Sequence, residues 1–250
     1  MSRSWEIEQI VEKLNDISSR GFIGVIESDH RTDDGVVGQV LEKLFGIREN
    51  NLCVGDLGKF ELKSARVKSS TITLCHKKPN RGLTPLELFE RFSYVKPSKR
   101  DPSVIKRKLF TTVTGKKPNS LGLRLVGLKN HRFELHYENE QLCEWDISEQ
   151  ISKIDSVIMV FATTEGATNS RSEKFHYNEA FLLKDILDIG TLISSGIVVL
   201  DLCIDQVLGG KKAPHDRGPH IRVPKSKLFK AYKTVIPLLA KKTQKTRRKK

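Results

Sequence analysis

Residues 55–64 read GDLGKFELKS. Asp56 and Glu61 are separated by four residues, and Lys63 follows two places after Glu61. In an extended strand alternate side chains share a face, so Phe60 and Leu62 turn to a core while Glu61 and Lys63 stand together on the other side. Asp56 lies just ahead of that strand, where a loop can swing its carboxylate towards Glu61. Two carboxylates and a nearby main-chain carbonyl make a hard-oxygen cradle suited to Mg²⁺, which keeps several waters and takes phosphate oxygens as ligands. A metal held there lowers the pKa of a bound water and neutralises charge building on a phosphate. Lys63 is placed to orient the attacking water or to stabilise a pentacovalent phosphorus. An ordinary charged surface strand reads the same way, because this spacing of common residues arises by chance in many chains.

Working outward, SWEIEQIVEKLNDISSRG puts Trp5, Ile7, Ile10, Val11, Leu14 and Ile17 at helical spacing, with Gly21 as a stop. RTDDGVVGQVLEKLFG predicts a second helix with Val37, Val40, Leu41, Leu44 and Phe45 as its stripe, Asp33 or Asp34 as its cap and Gly46 at its end. Glu42 sits at the edge of that stripe, four residues after Gly38, either as an outer carboxylate for the acid–acid–lysine cluster or as a solvated flank. DLGKFELK and STITLCHK alternate and are joined by a polar turn, which predicts a hairpin. Alternation from about 120 to 147 predicts an antiparallel meander. DSVIMVFAT (155–163) and GIVVLDLCI (196–204) are apolar runs expected as strands buried on both faces. Between them YNEAFLLKDILDIGTLISSG is expected as a helix, giving a parallel crossover. A short strand at IRV and a last helix from about Lys225 complete the chain. The expected class is α/β with a mixed central sheet flanked by helices. Residues 1–240 are expected as a single domain, with 241–250 as a basic, disordered tail.

The 250 residues include 44 Lys+Arg against 30 Asp+Glu, a net charge of +14. That balance points to an anionic partner, most simply nucleic acid. Part of the charge lies in the final TQKTRRKK, but the body is basic without it. No apolar run approaches the ~18–20 residues of a membrane span, and the acidic, amphipathic start is not a secretory signal. Cys53, Cys75, Cys143 and Cys203 are far apart with no CxxC pair, which argues against zinc and against a disulfide scaffold. Reduced thiols in a prokaryotic cytoplasm are the expectation.

A second cluster, KKAPHDRGPHIR (211–222), gathers Lys211, Lys212, His215, Asp216, Arg217, His220 and Arg222 in a loop near 208–223 shaped by two prolines and a glycine. Arg matches the O6/N7 edge of guanine bidentately and a carboxylate accepts from cytosine N4, so Asp216 beside Arg217 suits a G·C pair. A solvated loop with an internal ion pair fits equally. His76 is most simply a buried or capping histidine. Lys77 and Lys78 are phosphate contacts or plain exposed charges. The basic stretch 91–118, with interleaved aromatics, would suit a wall along a DNA backbone.

RTDDGVVGQVLEKLFGIREN, GDLGKFELKSAR, HKKP, RFSYVKPSKRDP, KRKLFTTV, VLDLCIDQ and PHDRGPHIRVPKSKL together resemble the MvaI/BcnI family of restriction endonucleases, its BcnI-type members in particular. The match runs in the same order from the first helix to the last and leaves out the lysine-rich extension. The family is similar in fold to the MutH strand-nicking enzyme of mismatch repair. The resemblance implies a PD-(D/E)xK core whose catalytic hairpin (55–78) and recognition lobes form a DNA cleft. It implies Mg²⁺ as cofactor and double-stranded DNA as partner. The implied reaction is cutting at a G·C-rich pseudopalindrome, CC(C/G)GG, by a monomer that nicks one strand and then the other to leave 5′-phosphate ends. Asp56, Glu61 and Lys63 are then catalytic, Asp56 and Glu61 hold the metal, and Glu42 is a supporting acid. Asp56 follows a glycine where the motif usually has proline. His76 and His220 would approach the central base pair from opposite sides, with His215, Asp216, Arg217 and Arg222 in the major-groove loop. A host DNA methyltransferase is expected to accompany such an enzyme. A strand-specific nicking enzyme and a noncatalytic basic nucleic-acid binder remain as alternatives.

Overall fold

The computed structural model describes residues 5–25, 33–47, 56–99, 101–210 and 212–239. The chain forms two compact units, one from residues 1–69, 155–185 and 234–250 and the other from 70–154 and 186–233. Elements are numbered here in chain order.

In the first unit α1 (Ile7–Ser19) opens with a capping box, the Glu6 amide donating to Gln9 Oε1 at 3.1 Å, and buries Ile10, Leu14 and Ile17. Helix α2 (Val36–Leu44) starts at Gly35 rather than at an acidic cap. The Asp33 carboxylate instead accepts the Gly35 amide at 2.9 Å, fixing the turn before the helix. Its end follows expectation. Gly46 takes φ +72°, its amide donates to Lys43 O, and the Ile47 amide donates to Glu42 O, which is a Schellman motif. The helices pack on a sheet ordered β1 (Ile23–Gly24), β11 (Lys174–Ile186), β10 (Ser156–Glu165), β2 (Glu61–Arg66), with β15 (Tyr232–Leu239) also paired to β11. Strand β10 runs parallel to β2 and antiparallel to β11. Leu62, Ile158, Val160 and Tyr177 share a core with Leu14, Val37 and Leu41.

The second unit holds two sheets. The larger is ordered β3 (Thr71–His76), β14 (His220–Pro224), β12 (Val199–Val207), β6 (Ile105–Val113), β5 (Tyr94–Pro97), with β13 (His215–Asp216) also on β12. The smaller is ordered β4 (Arg81–Gly82), β9 (Glu140–Asp146), β8 (Arg132–Tyr137), β7 (Leu123–Gly127). The last three are the expected antiparallel meander, centred on Phe133 stacked against Trp145 at 5.1 Å. Helices α3 (Pro85–Phe92), α4 (Ser148–Ile154) and α5 (Ile189–Ser194) are short. A Cβ on Gly127 would lie 1.9 Å from Gly190 O, so only glycine lets this strand end and α5 touch.

Three expectations are corrected. The 55–78 hairpin does not form: β2 pairs in parallel with β10, whereas β3 pairs with β14 in another sheet. The turn between them permits a hairpin, but long-range partners decided the pairing, since Leu62 and Arg66 are buried against distant chain. The first half of the helix expected between 177 and 196 is strand β11, followed by the short α5, so no parallel crossover joins β10 and β12. The cause is a bulge. Phe161 pairs with Glu179 but Ala162 pairs with Tyr177, leaving Asn178 as the extra residue. Buried Phe175, Tyr177, Ala180 and Leu182 therefore face one way at spacings of two, three and two, and the three reads as helical. Finally, the helix expected from Lys225 is a 3₁₀ segment, Lys225–Ala231, that gives way to β15. The architecture among the described residues is thus mixed α/β, dominated by strands in three sheets rather than by one central sheet.

Candidate functional site

Glu61 and Lys63 of the acid–acid–lysine stretch lie on β2, the last strand in the first unit's sheet order, and Asp56 precedes it. Phe60 and Leu62 are buried, while Glu61 and Lys63 project from the other side, with Lys63 Nζ 3.6 Å from Glu61 Oε1. Asp56 Oδ2 accepts the Leu62 amide at 3.3 Å. That amide belongs to the residue between Glu61 and Lys63, so the Asp56 carboxylate is tied to the strand that carries both.

Glu42 stands elsewhere around this strand. A Cβ on Gly38 would lie 3.6 Å from Glu42 Oε1 and 3.9 Å from Ser64 Oγ, so the carboxylate and the hydroxyl flank one small surface of α2. Ser64 alternates with Lys63 and faces the helices. Its Oγ is buried and makes no hydrogen bond among the described residues. Burial holds the Tyr177 phenol above its ordinary pKa, against a downward pull from Arg66 and with smaller upward contributions from Glu173 and then Glu42. Nearby, at the end of β2, Arg66 Nε and Nη2 meet Glu173 Oε1 and Oε2 at 2.6 and 2.8 Å. Arg66 is 7% exposed and Glu173 0%. Arg66 also donates to Asn169 Oδ1 and to Asp34 O just before α2. Sequence reading passed over this pair, because two charges 107 positions apart give no local signal.

Among the described residues, no group of three or more His, Cys, Asp and Glu side chains is placed to hold a metal. What this stretch offers is the Glu61 carboxylate on β2 and the Asp56 carboxylate just ahead of it, tied to the Leu62 amide. This set of hard oxygens suits a cation that retains waters, such as Mg²⁺, and does not suit zinc.

The second unit gathers the histidines and the basic loop on one face of its larger sheet. His220 pairs directly with His76, their ring centroids 4.3 Å apart in an edge-on contact. On the same face Asp201 accepts from Arg222 Nη1 at 2.8 Å and from the Thr112 hydroxyl, and Arg222 Nε reaches Thr73 Oγ1 at 3.1 Å. Arg222 is therefore a paired strand residue rather than a loop cation. Arg217 is exposed. Its amide donates to Cys203 O at 3.1 Å, and its guanidinium lies over the Phe110 ring. The Asp216 carboxylate accepts the Gly218 amide at 2.8 Å, and Gly218 takes φ +79°, a turn conformation that favours glycine. His215 is exposed and pairs through β13 with Asp205. Lys212 and Lys78 are exposed. Lys77 Nζ meets Glu149 Oε2 at 3.2 Å, while its carbonyl accepts the Trp145 indole N–H. Lys211 and the 241–250 tail lie outside the described residues. The basic stretch 91–118 is partly consumed internally: Lys106 pairs with Asp205, Arg107 with Glu90, and Lys108 donates to Pro97 O.

Burial, together with the nearby His76 and the Arg222 cation, pushes the His220 imidazole down to about 4, against smaller upward pulls from Asp201 and Asp216. Its Nδ1 is buried with no hydrogen bond among the described residues, so the ring is neutral at pH 7. Between pH 6.5 and 4 the unfolded chain binds a proton that the folded ring refuses. Stability is therefore full above pH 6.5 and declines as pH falls towards 4, by on the order of 1–2 kcal/mol for a ring partly screened by solvent. Urea melts across this window, compared with His220→Gln, isolate the effect. A variant with the parent's pH slope would show that the loss comes from other groups.

A family model described as the MvaI/BcnI restriction endonuclease family matches residues 11–232. The chain belongs to the MvaI/BcnI restriction endonuclease family. It is a Type II site-specific deoxyribonuclease, as the motifs from helix α1 to the 211–222 cluster anticipated. Among solved structures, restriction endonuclease MvaI in complex with its cognate DNA substrate is similar at a TM-score of 0.73 and 21% identity, over 95% of this chain and all of that one. At that identity the likeness speaks to the fold. MvaI without DNA gives a TM-score of 0.48 at 19% identity, over 96% of this chain and all of that one. No curated protein sequence matches. Members of an MvaI/BcnI restriction endonuclease family of this kind generally depend on a divalent metal. Among the described residues no helix is long and apolar enough to cross a membrane.

Proposed function

We propose that this MvaI/BcnI-family enzyme is a PD-(D/E)xK nuclease that hydrolyses phosphodiester bonds of double-stranded DNA with Mg²⁺. Its site would be a short G·C-rich pseudopalindrome, CC(C/G)GG, cut one strand at a time by a monomer. The observation that carries this reading is the β2 arrangement, with Asp56 bound to the Leu62 amide between Glu61 and Lys63, the last two 3.6 Å apart. Asp56 and Glu61 would hold the ion, which when bound supplies charge neutralisation at the phosphate and a more acidic water. Lys63 Nζ sits beside Glu61, where its ammonium orients the attacking water and offsets charge on the pentacovalent phosphorus. The water oxygen forms a bond to phosphorus, the P–O3′ bond breaks, and the products are a 5′-phosphate and a 3′-hydroxyl. Glu42, beside Ser64 on the helix side of β2, acts as a supporting acid rather than as a direct ligand.

The sheet face of the second unit supports the recognition half. His76 and His220, paired across two strands, would meet the central base pair, where a neutral imidazole N–H can donate to guanine O6 or N7 in either orientation. Arg217, with His215 and Asp216 beside it, would read a flanking G·C pair, and Lys77, Lys78 and Lys212 would meet phosphates. The capture of the relative MvaI on its cognate DNA supports the same class of partner.

The test is a plasmid digest with purified enzyme in Mg²⁺ and in EDTA, with the ends sequenced. Discrete Mg²⁺-dependent fragments ending in a CC–GG frame are expected. Permanently nicked circles would replace this reading with a strand-specific nicking enzyme. An uncut but gel-shifted plasmid would leave a basic binder without catalysis.

A further inference from the structure

Phe110 lies in the middle of β6, yet it is 39% exposed on the polar face of its sheet. An aromatic ring left open to water in mid-strand needs a reason. The Arg217 guanidinium carbon lies 5.7 Å from the ring centroid, inside the ~6 Å range of cation–π attraction. Strand register explains how they meet. Phe110 is paired with Cys203, and the Arg217 amide donates to Cys203 O at 3.1 Å. The Arg217 side chain thus crosses β12 at Cys203 and ends on the next strand, at Phe110. Burial raises the Cys203 thiol's pKa, and Arg217 is among the cations that pull it back down, which places the guanidinium beside that thiol. The backbone around Arg217 is also pinned. Asp216 is paired with Ile204, and the Gly218 amide is held by the Asp216 carboxylate. Tyr94 fixes the other side of the platform by donating its hydroxyl to Phe110 O at 3.3 Å.

We infer that Phe110 is a positioning residue for base recognition: its ring is the platform that aims Arg217 at one guanine. This rests on the reading of Arg217 as a guanine contact. A flexible arginine loses rotamer freedom on binding a base edge, and a preformed stack removes much of that loss. The benefit should appear as discrimination at one base pair rather than as general affinity, because phosphate contacts carry the sequence-independent part.

The experiment measures kcat/KM on the cognate duplex and on duplexes with each base pair replaced in turn. It uses the parent enzyme, Arg217→Ala, Phe110→Leu, Phe110→Trp and the Arg217→Ala/Phe110→Leu double variant. Arg217→Ala is expected to relax discrimination at one position by roughly five- to a hundredfold. Phe110→Leu should relax the same position by about two- to fivefold, and Phe110→Trp should preserve it. The double variant should discriminate no worse than Arg217→Ala alone. If Arg217→Ala discriminates fully everywhere, the parent reading of Arg217 fails. If Arg217→Ala relaxes one position while Phe110→Leu leaves it intact, or weakens all positions equally, the platform role alone is overturned.

Discussion

Asp56→Asn is expected to cut cognate DNA at least about a thousandfold more slowly, a loss of ~4 kcal/mol of transition-state stabilisation. The substitution is chosen for what it keeps. An asparagine Oδ1 still accepts the Leu62 amide, a 3.3 Å bond in the parent, so the loop ahead of β2 retains its anchor. What disappears is one negative charge from the proposed oxygen cradle. Specific binding, read by gel shift in Ca²⁺ or without metal, should be within a few-fold of the parent. The phosphate and base contacts proposed here lie on other residues, and removing an acid near a phosphate relieves repulsion if it does anything. Single-turnover cleavage separates the chemical step from product release. Parental cleavage by Asp56→Asn would remove Asp56 from the active site and leave Glu61 and Lys63 as a surface ion pair.

Glu173→Ala should lower stability by about 3–5 kcal/mol, because it leaves the Arg66 guanidinium in a buried site without its carboxylate. Burial alone would raise the Glu173 carboxyl, but Arg66 and the Asn169 amide overcome it and hold the group below the usual carboxylate range. The pair's stabilisation is thus present above the unfolded pKa near 4.3 and is lost as pH falls through the lowered folded value. Urea denaturation at neutral pH would read the loss in the variant. Replacing both partners with apolar residues of similar volume should recover most of it, since no buried charge is then stranded. A single variant within ~1 kcal/mol of the parent would show that water or another group reaches Arg66. Because Arg66 also holds Asp34 O ahead of α2, Glu173→Ala should disturb the Glu42 helix before it disturbs the second unit.

The sequence carried more of the local geometry around β2 than of the topology. Alternation alone put Phe60 and Leu62 inside and Glu61 with Lys63 outside, because strand geometry is local. Gly46 announced the end of α2 for the same reason. Pairing is not local. Nothing in STITLCHK reveals that it seeks 220–224 rather than the strand four residues behind it. The bulge at Asn178 disguised β11 by inserting one residue into a period of two. Arg222 reads as a loop cation in the sequence, but it lies on β14, and Asp201, diagonal to it on β12, accepts its guanidinium. Phe110 carried no chemical signal until register placed it under Arg217.

The parallel pairing of β2 with β10 also sets a clock. Glu61 has been synthesised long before Val157, its partner in the ladder. At ~5–20 residues per second, a ribosome needs on the order of 5–20 s to make the roughly hundred residues between them. The sheet then waits again for β15, at Tyr232–Leu239, to join β11. A truncated or still-emerging chain therefore carries Asp56, Glu61 and Lys63 without the neighbours that hold their strand. For an enzyme that cuts DNA, the residues proposed as catalytic are written early, and the strand that carries Glu61 and Lys63 gains its partners only when synthesis is nearly complete.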